Sequence, residues 1–211
     1  MRLRRADKIR HASRPARGKV VALNIPQTGG VPGLDSAHAL QSPSEWVKRW
    51  AGFIPAGGEV LDLACGSGRH SRYLASAGYR VCAIDRDPQA VAALNGVHGV
   101  SGQVADLEGM PWPLDGRRFA GIVVVNYLYR PLFPHLLEAL AEDGAFIYET
   151  FALGNERFGK PSNPEFLLRP GELLELLRGK LRVLAYEDLQ VSLPRPAMVQ
   201  RICAVGPLRN P

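Results

Sequence analysis

The segment from residue 59 to residue 85 constrains the fold more than any other part of the chain. It opens with an apolar run rich in branched residues, which predicts a buried strand. Gly66 and Gly68 interrupt that run, and apolar side chains then recur at helical spacing until Gly78. A second apolar run ends at Asp85. The segment therefore predicts a strand, a glycine turn, a helix and a strand, which is the first βαβ unit of a doubly wound parallel sheet.

The glycine turn and Asp85 indicate what such a unit would bind. A backbone without Cβ atoms can bend sharply and lets a ligand lie against the amides at the start of a helix. A carboxylate at the tip of the second strand can accept hydrogen bonds from both hydroxyls of a ribose. The unit is therefore typical of a site for an adenosine-bearing ligand.

Two cofactor classes fit this description. A dinucleotide site favours a third small residue in the turn, G-x-G-x-x-G or A, whereas this chain has Ser71 there. Asp62, inside the first strand, offers a carboxylate that would attract an ammonium or sulfonium group but not a pyrophosphate. The pattern favours a sulfonium nucleoside over a nicotinamide dinucleotide.

The stretch LDLACGSGRHS, followed by Asp85, resembles the first two motifs of class I S-adenosylmethionine-dependent methyltransferases. Residues 46–205 resemble small bacterial methyltransferases of the tellurite-resistance or thiopurine type, and the segment ETFALGNERFGKPSNPEFLL strengthens that resemblance. The resemblance implies an α/β fold, namely a Rossmann-like, doubly wound, mostly parallel seven-stranded sheet with an antiparallel last strand. It also implies S-adenosyl-L-methionine as the cofactor.

The candidate cofactor residues stand where the predicted strands end. Ligands of such sheets bind at the carboxyl ends of the strands, near the point where strand order reverses. The resemblance implies that Asp106 accepts a hydrogen bond from the adenine amino group and that Leu107 lies against the ring. The predicted cofactor-binding set comprises Asp62, Ala64, Cys65, Gly66, Gly68, His70, Asp85, Arg86, Asp106, Leu107 and Asn126.

The acceptor side is less constrained by the sequence. Methyl transfer from a sulfonium is an in-line displacement that depends mostly on alignment, and a base is needed only for a protonated acceptor of high pKa. Asn126 lacks the N-P-P-Y continuation found in many relatives that methylate amide or base nitrogens. The loop residues Arg157, Lys160 and Arg169 favour a small anionic or soft acceptor. The predicted catalytic set is Asn126, Tyr129, Arg130 and Arg157.

Charge divides the chain into two predicted parts. Residues 1–19 hold eight Lys or Arg and one acid, so this segment accounts for all of the net charge of +6. We expect residues 1–42 to form a basic, disordered tail and linker, and residues 43–208 to form the methyltransferase domain. The tail also resembles a transit peptide, and any nucleic-acid binding would go through it. It keeps open a second hypothesis, an RNA or protein methyltransferase that the tail recruits.

Composition excludes other classes. No apolar run is long enough to span a bilayer, so we expect no membrane contact. Cys65, Cys82 and Cys203 have no metal-ligand spacing, which predicts no metal site and fits a reducing cytoplasm. A third hypothesis is a sensor or interaction protein that binds S-adenosylmethionine without turnover. The sequence does not indicate an oligomeric state.

Overall fold

The computed structural model describes residues 42–208, which form one seven-stranded sheet. The order is β3-β2-β1-β4-β5-β7-β6; all neighbours are parallel except β5–β7 and β6–β7, so the last strand is antiparallel, as predicted. The basic tail, except Ser42, lies outside the described residues. The strands are β1 (Glu59–Leu63), β2 (Arg80–Asp85), β3 (Val100–Val104), β4 (Phe119–Val125), β5 (Leu140–Phe151), β6 (Arg182–Val191) and β7 (Ala197–Val205).

Five short helices cover the sheet, with 3-10 turns among the connections. The helix that follows β2 is short, because the next bonds are of the tight i to i+3 kind, from Leu94 N to the Val91 carbonyl and from Asn95 N to the Ala92 carbonyl. The helices are α1 (Glu45–Trp50), α2 (Arg69–Ser76), α3 (Pro88–Ala92), α4 (Phe133–Ala139) and α5 (Glu172–Leu177).

The sheet has a core on each face, as a parallel sheet requires. On one face Trp46 and Val47 of α1 pack with Leu74 of α2 against the central strands. On the other face Leu136 of α4 and Leu173 of α5 belong to the second cluster. The apolar side chains of α1 are therefore part of the core.

Strand order reverses between β1 and β4. The chain adds β2 and β3 on one side of β1 and then places β4 on the other side, which creates a crevice at the carboxyl ends of β1 and β4. Within residues 42–208 no helix is long and apolar enough to cross a membrane. The same part of the chain contains no cluster of side chains suited to hold a metal ion.

Candidate active site

The turn between β1 and α2 uses left-handed backbone at three positions. Ala64, Gly66 and Gly68 have φ values of 53°, 53° and 76°. A Cβ at Gly68 would lie 2.3 Å from the side chain of Leu94, whereas a Cβ at Gly66 would meet nothing within 4 Å. Gly68 is therefore required by packing, while the space beside Gly66 is open to a ligand.

Asp85 holds this turn against the end of β2. Its Oδ2 accepts a hydrogen bond from the Gly66 amide at 2.7 Å, and its Oδ1 accepts one from the Asp87 amide at 3.0 Å. Each carboxylate oxygen can accept a further bond. The carboxylate is thus fixed in place by the backbone and keeps the capacity to accept two ribose hydroxyls.

Asp62 is buried beneath the start of α2. Only 1% of the residue is exposed, and its Oδ2 accepts a hydrogen bond from the Ser71 hydroxyl at 2.5 Å. Burial raises the pKa of Asp62 to about 6, and the bond from Ser71 acts in the opposite direction. The carboxylate therefore ties β1 to α2 and supports the glycine turn from below.

His70 connects α2 to the start of α1. Its Nε2 accepts a hydrogen bond from the Ser44 amide at 3.1 Å, and the Ser44 hydroxyl donates to Oε2 of Glu149 at 2.9 Å. Burial, with a smaller contribution from the positive charge of Arg69, lowers the pKa of His70 to about 3, so the ring is neutral and can accept this bond.

A cavity of ≈ 180 Å³ opens at the carboxyl ends of β1 to β4. Five predicted cofactor residues line it, and the other six of that set do not. Three further lining residues stand outside the predicted cofactor-binding set, and one of them, Tyr127, directly follows a predicted strand end. The lining residues are Ala64, Asp85, Arg86, Ala105, Asp106, Leu107, Glu108 and Tyr127. The six set apart from the cavity are Asp62, Cys65, Gly66, Gly68, His70 and Asn126.

The side of the cavity that follows β3 is shaped by Asp106. Its Oδ1 accepts a hydrogen bond from the Glu108 amide at 2.9 Å, which closes a tight turn. Leu107 is buried between them. Asp106 itself is exposed, and its second oxygen can accept a bond from a ligand.

Asn126 turns the chain at the end of β4. Its φ is 59°, a left-handed value that asparagine tolerates better than most residues. Its backbone N–H donates to the Glu149 carbonyl at 2.9 Å. The side chain is exposed. This turn brings Tyr127 to the cavity wall.

Arg130 is used by the fold itself. Its Nε donates to Glu172 at 2.6 Å, and its two Nη atoms donate to the carbonyls of Glu165 and Leu167 at 2.7 and 2.9 Å. The two Nη atoms therefore attach the loop that follows β5, and Nε pairs with Glu172 at the start of α5. In contrast to its predicted catalytic role, Arg130 acts as an anchor of that loop.

The other predicted acceptor residues lie closer to solvent. The Tyr129 hydroxyl donates to the Glu108 carbonyl at 3.1 Å, so this side chain packs beside the cavity. Arg157 is exposed, and its Nε donates to the Gly154 carbonyl at 3.1 Å. Burial raises the pKa of the Cys65 thiol to about 12, so this cysteine is not a nucleophile at neutral pH.

Comparisons with known proteins agree with this geometry. Residues 60–144 match the family model of the methyltransferase domain. Over 116 residues the chain is 32% identical to the protein-L-isoaspartate O-methyltransferase of Chlorobaculum tepidum. That alignment covers 49% of this chain and 49% of the relative, so the chain spans about half the length of this curated relative.

Solved structures share the fold. TehB from Haemophilus influenzae superposes with a TM-score of 0.66 at 21% identity, over 78% of this chain and 62% of that one. A TehB-like SAM-dependent methyltransferase from Corynebacterium glutamicum superposes with a TM-score of 0.56 at 20% identity, over 76% and 86%. From the matched segment and the strand order, we conclude that residues 60–144 match a methyltransferase domain and that residues 42–208 share the fold of S-adenosylmethionine-dependent methyltransferases.

Proposed function

We propose that this chain transfers the methyl group of S-adenosyl-L-methionine to a small acceptor by in-line displacement. The observation that carries the proposal is the convergence of the ends of β1 to β4 on one cavity with Asp85 and Asp106 in its wall. These two carboxylates, each with oxygens able to accept further bonds, fit the ribose hydroxyls and the adenine amino group. The open side of Gly66 fits the close approach of the rest of the cofactor.

In this proposal the residues of the chain bind the cofactor and orient it toward the acceptor. When bound, S-adenosyl-L-methionine supplies an electrophilic methyl group on a sulfonium. Asp85 would hold the ribose, Asp106 and Leu107 the adenine, and Asn126 would border the methyl end at the tip of β4. Holding donor and acceptor in line contributes about 7–11 kcal/mol to lowering the barrier, so orientation alone accounts for much of the catalysis.

The acceptor is proposed to be anionic or soft. The basic side chains of Arg157 and Lys160 lie in the loop after β5 and form no ion pair with residues 42–208. Neither Cys65 nor Tyr148 is a base at neutral pH, because burial raises the pKa of both groups. An acceptor that is already a thiolate or an oxyanion needs no base. The three buried, unpaired cysteines support a reducing cytoplasm as the place of action.

Isothermal titration with S-adenosylhomocysteine tests the cofactor assignment. Asp85→Ala removes two charge-assisted hydrogen bonds to the ribose and is expected to weaken binding by about a hundredfold or more. Asp87→Ala is the matched control, because Asp87 caps α3 and does not line the cavity. An affinity that Asp85→Ala leaves at the wild-type value would contradict the proposal.

A panel of methyl acceptors tests which class of molecule receives the methyl group. Labelled methyl transfer to small thiols or chalcogen oxyanions, and not to peptides or RNA, would support a small acceptor. A protein carboxylate is the second candidate, because the aligned relative is named as a protein-L-isoaspartate O-methyltransferase. Transfer to an isoaspartyl peptide alone would favour that candidate, and transfer to RNA that is lost on deletion of residues 1–19 would favour recruitment by the tail. Transfer to none of them would favour a cofactor-binding sensor.

A further inference from the structure

Tyr127 presents a polar atom that the fold leaves unsatisfied. Its hydroxyl is buried and has no hydrogen-bond partner among residues 42–208. Tyr127 lines the cavity at the carboxyl ends of the strands. A buried hydroxyl without a partner is costly in a folded protein, so this atom indicates a ligand that completes its hydrogen bonding.

The position of Tyr127 is fixed from several directions. The left-handed turn at Asn126 precedes it, and the Tyr148 hydroxyl donates to its carbonyl at 2.7 Å. Its ring packs against the core on the face of α4 and α5. Two residues later, Tyr129 bonds to the Glu108 carbonyl at 3.1 Å and holds this segment against the turn that follows β3. The hydroxyl is therefore held in place before any ligand arrives.

Nearby acids do not satisfy the hydroxyl. Burial raises the pKa of Tyr127, and the neighbouring Glu108 carboxylate adds to this effect by its charge and by a weak hydrogen-bonding contact. That contact does not meet the distance and angle of a formed hydrogen bond, so the phenol has no full partner among residues 42–208. Asp106 also contributes to the raised pKa, which places it in the electrostatic vicinity of Tyr127. The phenol stays neutral and available as a donor at neutral pH.

The cavity wall holds three carboxylates, and its side-chain donors are the Arg86 guanidinium and the neutral Tyr127 hydroxyl. Asp85, Asp106 and Glu108 offer carboxylates, which only accept hydrogen bonds when ionised. All of the lining residues follow β1 to β4 and none belongs to the loop after β5, so the cavity corresponds to the nucleoside part of a ligand rather than to the methyl acceptor. Tyr127 is thus a neutral donor beside Asp106, the carboxylate proposed to face the adenine amino group.

We propose that the Tyr127 hydroxyl donates a hydrogen bond to a ring nitrogen next to the amino group of the bound adenine, so that Tyr127 and Asp106 together select this base. This inference rests on the proposed function, since it assigns a partner to Tyr127 within the same cofactor site. Adenine offers an acceptor nitrogen on either side of its donor amino group. A neutral donor and a carboxylate acceptor held side by side complement that pattern.

Titration of Tyr127→Phe with S-adenosylhomocysteine and two base analogues tests the inference. The loss of one hydrogen bond is expected to raise the Kd for S-adenosylhomocysteine by about tenfold. The 1-deaza analogue of S-adenosylhomocysteine replaces N1 with carbon, the 7-deaza analogue replaces N7 with carbon, and both keep the amino group. The tenfold effect should disappear with whichever analogue lacks the accepting nitrogen.

Thermal unfolding of the unliganded protein separates binding from a structural role. Because Tyr127→Phe removes a polar atom that the fold leaves without a partner, its melting temperature should not fall below that of wild type. Tyr186→Phe is the matched control, because its hydroxyl bonds to Asp188 on β6, outside the cavity. It should leave the Kd for S-adenosylhomocysteine unchanged.

Three outcomes would overturn the inference. They are a wild-type Kd in Tyr127→Phe, a lowered melting temperature in that variant, and an equal loss with S-adenosylhomocysteine and both analogues, which would move the contact from the base to the ribose. If wild type bound no S-adenosylhomocysteine at all, the proposed function itself would fail. The inference about Tyr127 alone would fail if wild type and Tyr127→Phe both bound S-adenosylhomocysteine tightly and with the same Kd.

Discussion

The strand ends from β1 to β4 and the loop after β5 both carry many polar residues, but they use them differently. At the strand ends, Asp85 and Asp106 are bonded to backbone amides and keep oxygens free for a ligand. In residues 152–169 most polar side chains bond to the protein, as Asn155 does to the Pro161 carbonyl and the Met198 amide. Charge in a loop is therefore weak evidence for a binding site, whereas a carboxylate held by the backbone at a strand end is stronger evidence.

The largest effect on stability is expected from removing Arg130, which attaches the loop after β5. Arg130→Ala removes the ion pair to Glu172, whose side chain is 10% exposed and keeps only Arg169 as a partner, and it leaves two carbonyls without a donor. We expect a loss of about 3 kcal/mol in the free energy of unfolding, measured by urea denaturation.

Arg169→Ala is the control for this loss. Arg169 also pairs with Glu172, but its side chain is 71% exposed, so its removal should cost less than about 1 kcal/mol. Equal losses in the two variants would show that Arg130 does not anchor the loop.

Two glycines of the turn separate folding from binding. Gly68→Ala combines a left-handed backbone with overlap of Leu94 and should cost about 2 kcal/mol or more in stability. Gly66→Ala meets only the backbone cost, since nothing lies near its Cβ. We expect Gly66→Ala to weaken S-adenosylhomocysteine binding more than it weakens the fold. Urea denaturation of both variants measures the unfolding free energy, and calorimetry measures the Kd for S-adenosylhomocysteine. If Gly66→Ala left this Kd at the wild-type value, Gly66 would not border the cofactor site.

His70 and Asp62 make opposite contributions to stability as pH changes. The folded pKa of His70, about 3, lies below its ordinary value of 6.5, so its contribution is lost as pH falls below 6.5. The folded pKa of Asp62, about 6, lies above its ordinary 3.8, so its contribution is lost as pH rises through 6. Between pH 4 and 6 the two slopes oppose each other in the wild type.

Replacing either residue should expose the slope of the other. Relative to wild type, His70→Gln should gain about 1 kcal/mol for each unit that pH falls from 6 to 4, while Asp62→Asn should lose a similar amount. Unfolding free energies at pH 4, 5, 6 and 7 provide the measurement. Parallel pH profiles for all three proteins would be inconsistent with the buried environments of these side chains.

The smallest effect on stability is expected at Arg157. Its exposed side chain makes one bond to the Gly154 carbonyl, so Arg157→Ala should change the unfolding free energy by less than about 0.5 kcal/mol. If this residue attracts an anionic acceptor, KM for the acceptor should rise while KM for the cofactor stays the same. An unchanged KM for the acceptor would contradict the proposal that Arg157 attracts an anionic acceptor.

The sequence predicted the sheet well, and it also selected several of the residues that line the cavity, because both depend on local signals. Apolar runs, glycines and acids at strand ends follow from neighbours in the chain, and Asp85 and Asp106 duly line the cavity. His70 and Arg130 were interpreted as ligand contacts, whereas their partners Ser44 and Glu172 are 26 and 42 residues away. Tyr127 could have been included by the same strand-end argument that selected Asn126.

The place of β7 has a consequence for biosynthesis. This strand lies between β5 and β6 and bonds to both. A nascent chain can assemble the five parallel strands early, but β5 keeps an unprotected edge and β6 has no partner until residues 197–205 emerge from the ribosome. Release before that point would leave two strand edges exposed to other chains. The sheet is therefore completed from its interior, by the last strand to be synthesised.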